Sequence, residues 1–202
     1  FAAAAVGLLV WSARSGLIEL RQIVRESIPI LSIALVLDTL GGLVLQRQLD
    51  ALAVLPAIFV LVPAFVSTGG ALGGILCGRV ATGLHLGSAD ATAVPGPGVR
   101  RDIGFLLGLT VPIFVFNGVG SVAFAALTGD GVAPGWWWTL AVSLTAAVLT
   151  MVAVVAISYY STIGAWRIEI DPDSSGVPLV SAATDVVGAV LVIAVVAMFG
   201  LR

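Results

Sequence analysis

The residue best suited to chemistry is Asp185, a lone carboxylate in the long apolar stretch that closes the chain, DPDSSGVPLVSAATDVVGAVLVIAVVAMFGL at 171–201. A charge at bilayer depth costs about 2.5–3.5 kcal/mol on insertion scales, so a chain that keeps one has a positive group to place beside it. Ser181, Asp185 and Gly188 fall at i, i+4 and i+7, with Pro178 one turn earlier, and so share one helix face. Val186, Val190 and Ile193 lie largely elsewhere. A small polar face bearing one acid suits the passage of a cation, and a divalent cation is the expected cargo. Asp38 is the second candidate, with Ala34 and Gly42 at i−4 and i+4 on a similarly small face. Ser181 and Thr184 are expected to support the ion path with hydroxyl oxygens, and Gly69, Gly70 and Asn117 to add polar groups from other helices.

These residues need elements that cross a membrane. Hydrophobic residues make up 59% of the 202 positions and charged ones 10%, against about 25% charged in soluble domains. The fold class expected is all-α, a polytopic membrane protein of five transmembrane helices preceded by an amphipathic cytoplasmic helix. The bilayer is the expected partner, and nothing points to nucleic acid. One cysteine, Cys77, excludes an internal disulfide and a multi-thiolate metal site, leaving oxygen ligands and the single His85. No enzyme is expected: paired histidines, a His-Glu motif and a Ser–His pair at suggestive spacing are all missing from the sequence.

The chain begins with FAAAAVGLLVW, an apolar run too short to span at ~20 residues per crossing. No basic residues precede it and no cleavage site is clear, so it is not read as a signal peptide. Residues 12–27 place Leu17, Leu20, Ile23 and Val24 at helical spacing among charges, an amphipathic interfacial helix. Residues 1–27 thus form an N-terminal segment and 28–202 the membrane domain. The spans are expected at 28–45, 51–78, 103–127, 136–160 and 177–201. Pro56, Pro63 and the run STGGALGGILCG make the second span a candidate broken helix, with Gly70, Gly74 and Gly78 as a close-packing face. Residues 79–102 are expected to be the longest loop, with a PGPG turn that excludes helix. Trp136, Trp137 and Trp138 at one end of span four, and Tyr159 and Tyr160 at the other, read as an interfacial belt.

All nine basic residues are arginine, and seven of them fall on one side of this arrangement. The positive-inside rule then puts the N-terminus in the cytoplasm and the C-terminus outside. At 1.5 Å per residue, Asp185 lies roughly 12 Å and Asp38 roughly 15 Å from the cytoplasmic start of parallel spans, so the two buried acids share a depth. Asn117 sits further out, roughly 21 Å along span three.

Each residue also has a structural reading. Asp185 could cap a backbone or stay protonated, and Asp38 could bond to a proline-broken helix. Asn117 could be interhelical glue. Asp171 and Asp173 are solvated loop residues, a helix N-cap, or a pore mouth that concentrates cations. His85 and Cys77 read as structural.

DPDSSGVPLVSAATDVVG at 171–188 resembles the last-span signature of the MgtE-type magnesium transporters: a DP dipeptide, a proline-containing entry and a helix Asp. LVPAFVSTGGALGGILCGRVATGLHLG at 61–87 resembles their second-span motif, and IVRESIPILSIALVLDTLGGLVL at 23–45 the entry to their first span. The resemblance implies a homodimer with a Mg²⁺-selective pore on the two-fold axis, lined by the second and fifth spans. It makes Asp185 the central ion-coordinating residue and Mg²⁺ the transported ion, in a plasma-membrane protein. Two departures stand out. Many members have Gly-Asn where this chain reads Gly69-Gly70, and these 202 residues hold nothing like the cytoplasmic sensor domains of the bacterial type. The alternatives are a proton-coupled carrier using Asp38 and Asp185, a non-conducting scaffold subunit, and a hetero-dimer with a divergent half.

Overall fold

A computed structural model describes residue 7 and residues 18–129 and 131–201. The expectations for the rest of 1–17, for Asp130 and Arg202, and for the side chains of 18–26 and 173–175, Asp173 among them, lie outside the described residues. Among the described residues the structure is helical, with no strand. The helices are α1 (Ile18–Gln46), α2 (Leu49–Ala53), α3 (Pro56–His85), α4 (Pro97–Thr128), α5 (Trp136–Arg167) and α6 (Pro172–Met198). All but the five-residue α2 are long and apolar enough to cross a membrane. The chain is an all-α polytopic membrane protein.

Proline and glycine set the helix ends. Pro56 and Pro97 open α3 and α4 at positions where the missing N–H has no intrahelical acceptor to lose. The PGPG segment therefore starts α4 rather than excluding helix, and the expected loop 79–102 shrinks to 86–96. Gly129 closes α4 at φ 79°, a left-handed cap that a side chain would strain. The spans consequently run longer than expected, and α2 fills a connection read as part of span two.

Residues 18–27 continue into the first span through Pro29 as one helix. Two further expectations are corrected. The second span is not broken. Pro63 removes one backbone bond on an exposed face, and the glycine run beyond it packs against α6 within the same continuous helix. Trp136, Trp137 and Trp138 are exposed, but Tyr159, expected in the same belt, is buried. The Tyr159 hydroxyl donates to the Thr92 carbonyl at 2.9 Å and the Tyr160 hydroxyl to the Ala93 carbonyl at 3.3 Å, so the pair holds the 86–96 loop.

Helix α6 is the centre of the bundle, packed against α3, α1 and α5, while α4 packs against α3 and α5 on the far side. Lipid tails are as apolar as leucine, so close van der Waals contact rather than water exclusion joins these helices. The small-residue face of α3 is Gly69, Gly70, Gly73 and Gly74, each within reach of α6; Gly78, expected in this face, has nothing near it. A Cβ at Gly73 would lie 2.7 Å from Val180 Cγ1 and 2.9 Å from Val154 Cγ1. Overpacking of this kind costs about 1–3 kcal/mol, more than the ~1 kcal/mol of helix propensity gained. Gly73→Ala is therefore expected to lower the melting temperature in detergent by a few degrees, and Gly78→Ala to hold or raise it.

Candidate functional site

Helix α1 lies on the outside of the bundle, its buried positions beyond Ser27 being Ala34 and Gly41. Gly41 marks the closest approach to α6: a Cβ there would sit 3.5 Å from both the carbonyl carbon of Asp185 and the nitrogen of Val186. Asp38 is one turn before Gly41, which brings it to the same level as Asp185. The two acids line one cleft of ≈ 330 Å³, with Leu31, Leu35, Pro178 and Ser181 among its other walls. Asp38 is exposed and Asp185 half-buried, and the two carboxylates are close enough to interact electrostatically. The two acids that the sequence places at one depth thus line the same cleft.

The other candidates divide. Ser181 is in the cleft and also against α3, where its Oγ would be 2.9 Å from a Cβ at Gly70. Thr184 is fully buried and its methyl group faces Gly69, 3.1 Å from where a Cβ would be. Thr184 therefore points into the α3–α6 contact, away from the cleft, and its hydroxyl has no protein partner. Gly69 and Gly70 are buried and serve this contact. Gly188, expected on the acidic face, packs inward, its Cβ position 3.5 Å from Val66. Asn117 donates to Thr68 Oγ1 at 2.9 Å, tying α4 to α3 away from both acids. Asp171 is exposed in the turn between α5 and α6, with its carboxylate 3.9 Å from His85 Nε2. That separation is too long for a hydrogen bond. Cys77 is buried, accepts from Thr162 Oγ1 at 3.2 Å and abuts Gly176.

Chemically, the cleft offers four carboxylate oxygens and one hydroxyl. Among the described residues no group of three or more His, Cys, Asp or Glu could hold a bare metal ion. Mg²⁺ demands six oxygens in octahedral geometry and gives up water reluctantly, so two acids suit an ion that keeps most of its shell. Six waters at ~30 Å³ each need about 180 Å³, which fits the ≈ 330 Å³ cleft.

The family model for MgtE, described as a divalent cation transporter, matches residues 62–195. The chain belongs to the MgtE divalent cation transporter family. No curated protein and no solved structure matches it. The MgtE match runs from within α3 to near the end of α6, so it contains Asp185 but not Asp38. Divalent cation transport is the activity of the MgtE family, a family of transporters rather than enzymes.

Some features of this MgtE chain had no sequence signal. Arg79 pairs with Asp102 at 2.5 Å across α3 and α4, though the residues are 23 apart. Gly73 packs more tightly than any glycine in the expected i, i+4 row. Thr184→Val is expected to leave divalent flux unchanged and to raise the melting temperature, because it replaces an unpaired buried hydroxyl with a methyl. Flux assay and thermal melt of the one variant check both halves.

Proposed function

We propose that the chain moves Mg²⁺ across the plasma membrane, with the hydrated ion held between Asp38 and Asp185. The observation that carries this is the convergence of the two acids, from helices 147 positions apart in sequence, on one cleft. Ser181 supplies a further acceptor to the ion's waters. Asp171, with Asp173 two positions further on in the sequence, adds negative charge at the end of α6 where the ion would approach, which raises the local cation concentration.

The cleft is at the surface of a single chain, flanked by exposed Leu31 and Leu35. Left open, it would turn charge toward hydrocarbon at about 2.5–3.5 kcal/mol per group. A second copy covering the α1–α6 face lowers that cost, which supports a homodimer; the position of α3 and α6 beside the two-fold axis rests on the resemblance to the family. Ser67 and Ala71 on the exposed side of α3 give it a wall of small side chains there, with one hydroxyl. Arg79, Arg100, Arg101 and Arg167 gather at one end of the bundle, and the positive-inside rule makes that end, with the N-terminus, cytoplasmic.

The same pair of acids supports a second reading, a carrier in which they exchange protons. Purified protein in liposomes loaded with a Mg²⁺-sensitive dye separates the two. Mg²⁺ entry without an imposed pH gradient is expected. Proton flux that follows a pH gradient without any divalent ion, with no Mg²⁺ entry, would replace the proposal with the proton carrier. No flux of either kind from folded protein would favour a scaffold or a subunit that needs a different partner.

A further inference from the structure

At the arginine-rich end, away from the acidic cleft, a cavity of ≈ 550 Å³ opens between the end of α3 and the start of α4. That is within the size range of ligand sites, about 300–1,000 Å³. Arg79, Ser88, Gly98, Arg101, Asp102 and Phe105 are among its walls. Asp102 is already committed to Arg79 by the ion pair at 2.5 Å. Arg101 has no hydrogen bond or ion pair among the described residues, so the cavity carries one uncompensated positive charge. Its neighbour Arg100 is different: its Nε donates to the Pro95 carbonyl at 2.8 Å and it does not line the cavity.

The remaining walls agree with an anion. The first turn of α4 contains no acidic residue and no side-chain cap; Pro97 has no N–H and the Arg100 N–H is bonded to the Gly96 carbonyl at 2.9 Å, which leaves the N–H groups of Gly98 and Val99 without an intrahelical acceptor. Ser88 adds a hydroxyl. Phe105 lies one turn further along α4 and is 64% exposed on the outer side of the bundle, where lipid tails run. Exposed basic side chains at the cavity beside an apolar ring match an amphiphile lying with its head at the helix ends and its tail along α4. Basic pockets between transmembrane helices hold anionic headgroups in this way.

We propose that this cavity binds a phosphate group, supplied by an anionic phospholipid headgroup or by soluble phosphate. Arg101 is the principal ligand, and the Arg79–Asp102 pair fixes the α3–α4 spacing around it. The proposal is independent of the transport reading.

The test is native mass spectrometry of the purified protein titrated with phosphatidylglycerol or with phosphatidylcholine of the same chains. Wild type is expected to prefer phosphatidylglycerol. Arg101→Gln is expected to weaken phosphatidylglycerol about fivefold, the contribution of one basic group near a membrane surface, and to leave phosphatidylcholine unchanged. Arg100→Gln is expected to bind as wild type does. Gly98→Glu gives a second variant that should fold, since a Cβ there meets nothing within 4 Å and an acid suits a helix start. It is expected to repel the phosphate by at least as much. Equal losses in Arg100→Gln and Arg101→Gln, or no headgroup preference in wild type, would overturn the site. Millimolar inorganic phosphate assigns the source within the proposal: displacement of phosphatidylglycerol supports soluble phosphate, and its failure to displace supports the lipid.

Discussion

Asp185→Asn is expected to reduce Mg²⁺ entry into proteoliposomes by about 10- to 100-fold while leaving the protein as stable as before or more so. Asparagine keeps the size of the side chain and removes its charge. An interaction with a charged group contributes about 1.5–3 kcal/mol, which sets the size of the loss. Stability moves the other way because an intramembrane carboxylate costs about 2.5–3.5 kcal/mol to keep. The opposed signs separate a lost ion ligand from a damaged fold. Flux and melting temperature, measured on the same preparation, check them together. A fall in both would instead mark Asp185 as a structural carboxylate.

Asp38→Asn is expected to have the next largest effect, about a tenfold loss of Mg²⁺ entry at limiting ion. Asp38 is the more exposed of the two acids, so water offsets more of its contribution. A second readout does not depend on flux. A ligand that binds only the folded state stabilises it by RT ln(1 + [L]/Kd). Mg²⁺ is expected to raise the melting temperature of wild type and to raise that of Asp38→Asn less. An unchanged Mg²⁺ response in Asp38→Asn would leave this residue out of the site.

Much of the candidate site was legible because its parts lie on local helix periodicity. Asp185, Ser181 and Pro178 share a face by simple spacing, and counting rise along two parallel spans gave Asp38 and Asp185 a common depth. Azimuth was less accessible. Whether Thr184 turns toward the cleft or toward Gly69 depends on how α6 is rotated against α3 and α5, which small-residue contacts decide. Likewise Gly41, not Gly42, meets α6, and Gly188 faces inward, because α6 is the central helix with neighbours on three sides. Helix ends were misjudged where proline was read as a breaker. Pro97 opens α4, which moved Arg100 and Arg101 from an expected loop onto that helix, and α3 runs on to His85, which carries Arg79. The Arg79–Asp102 pair and the cavity beside it follow from that placement.

The most direct measurement of the central claim is a double-mutant cycle on Mg²⁺ affinity. Wild type, Asp38→Asn, Asp185→Asn and the double variant would be titrated with Mg²⁺ in detergent by calorimetry. Two acids that hold one hydrated ion do not act independently, because neither alone completes the site. The double variant is therefore expected to bind scarcely more weakly than Asp185→Asn alone. Losses that multiply across the two substitutions would mean the acids act separately, and would contradict a shared ion site between α1 and α6.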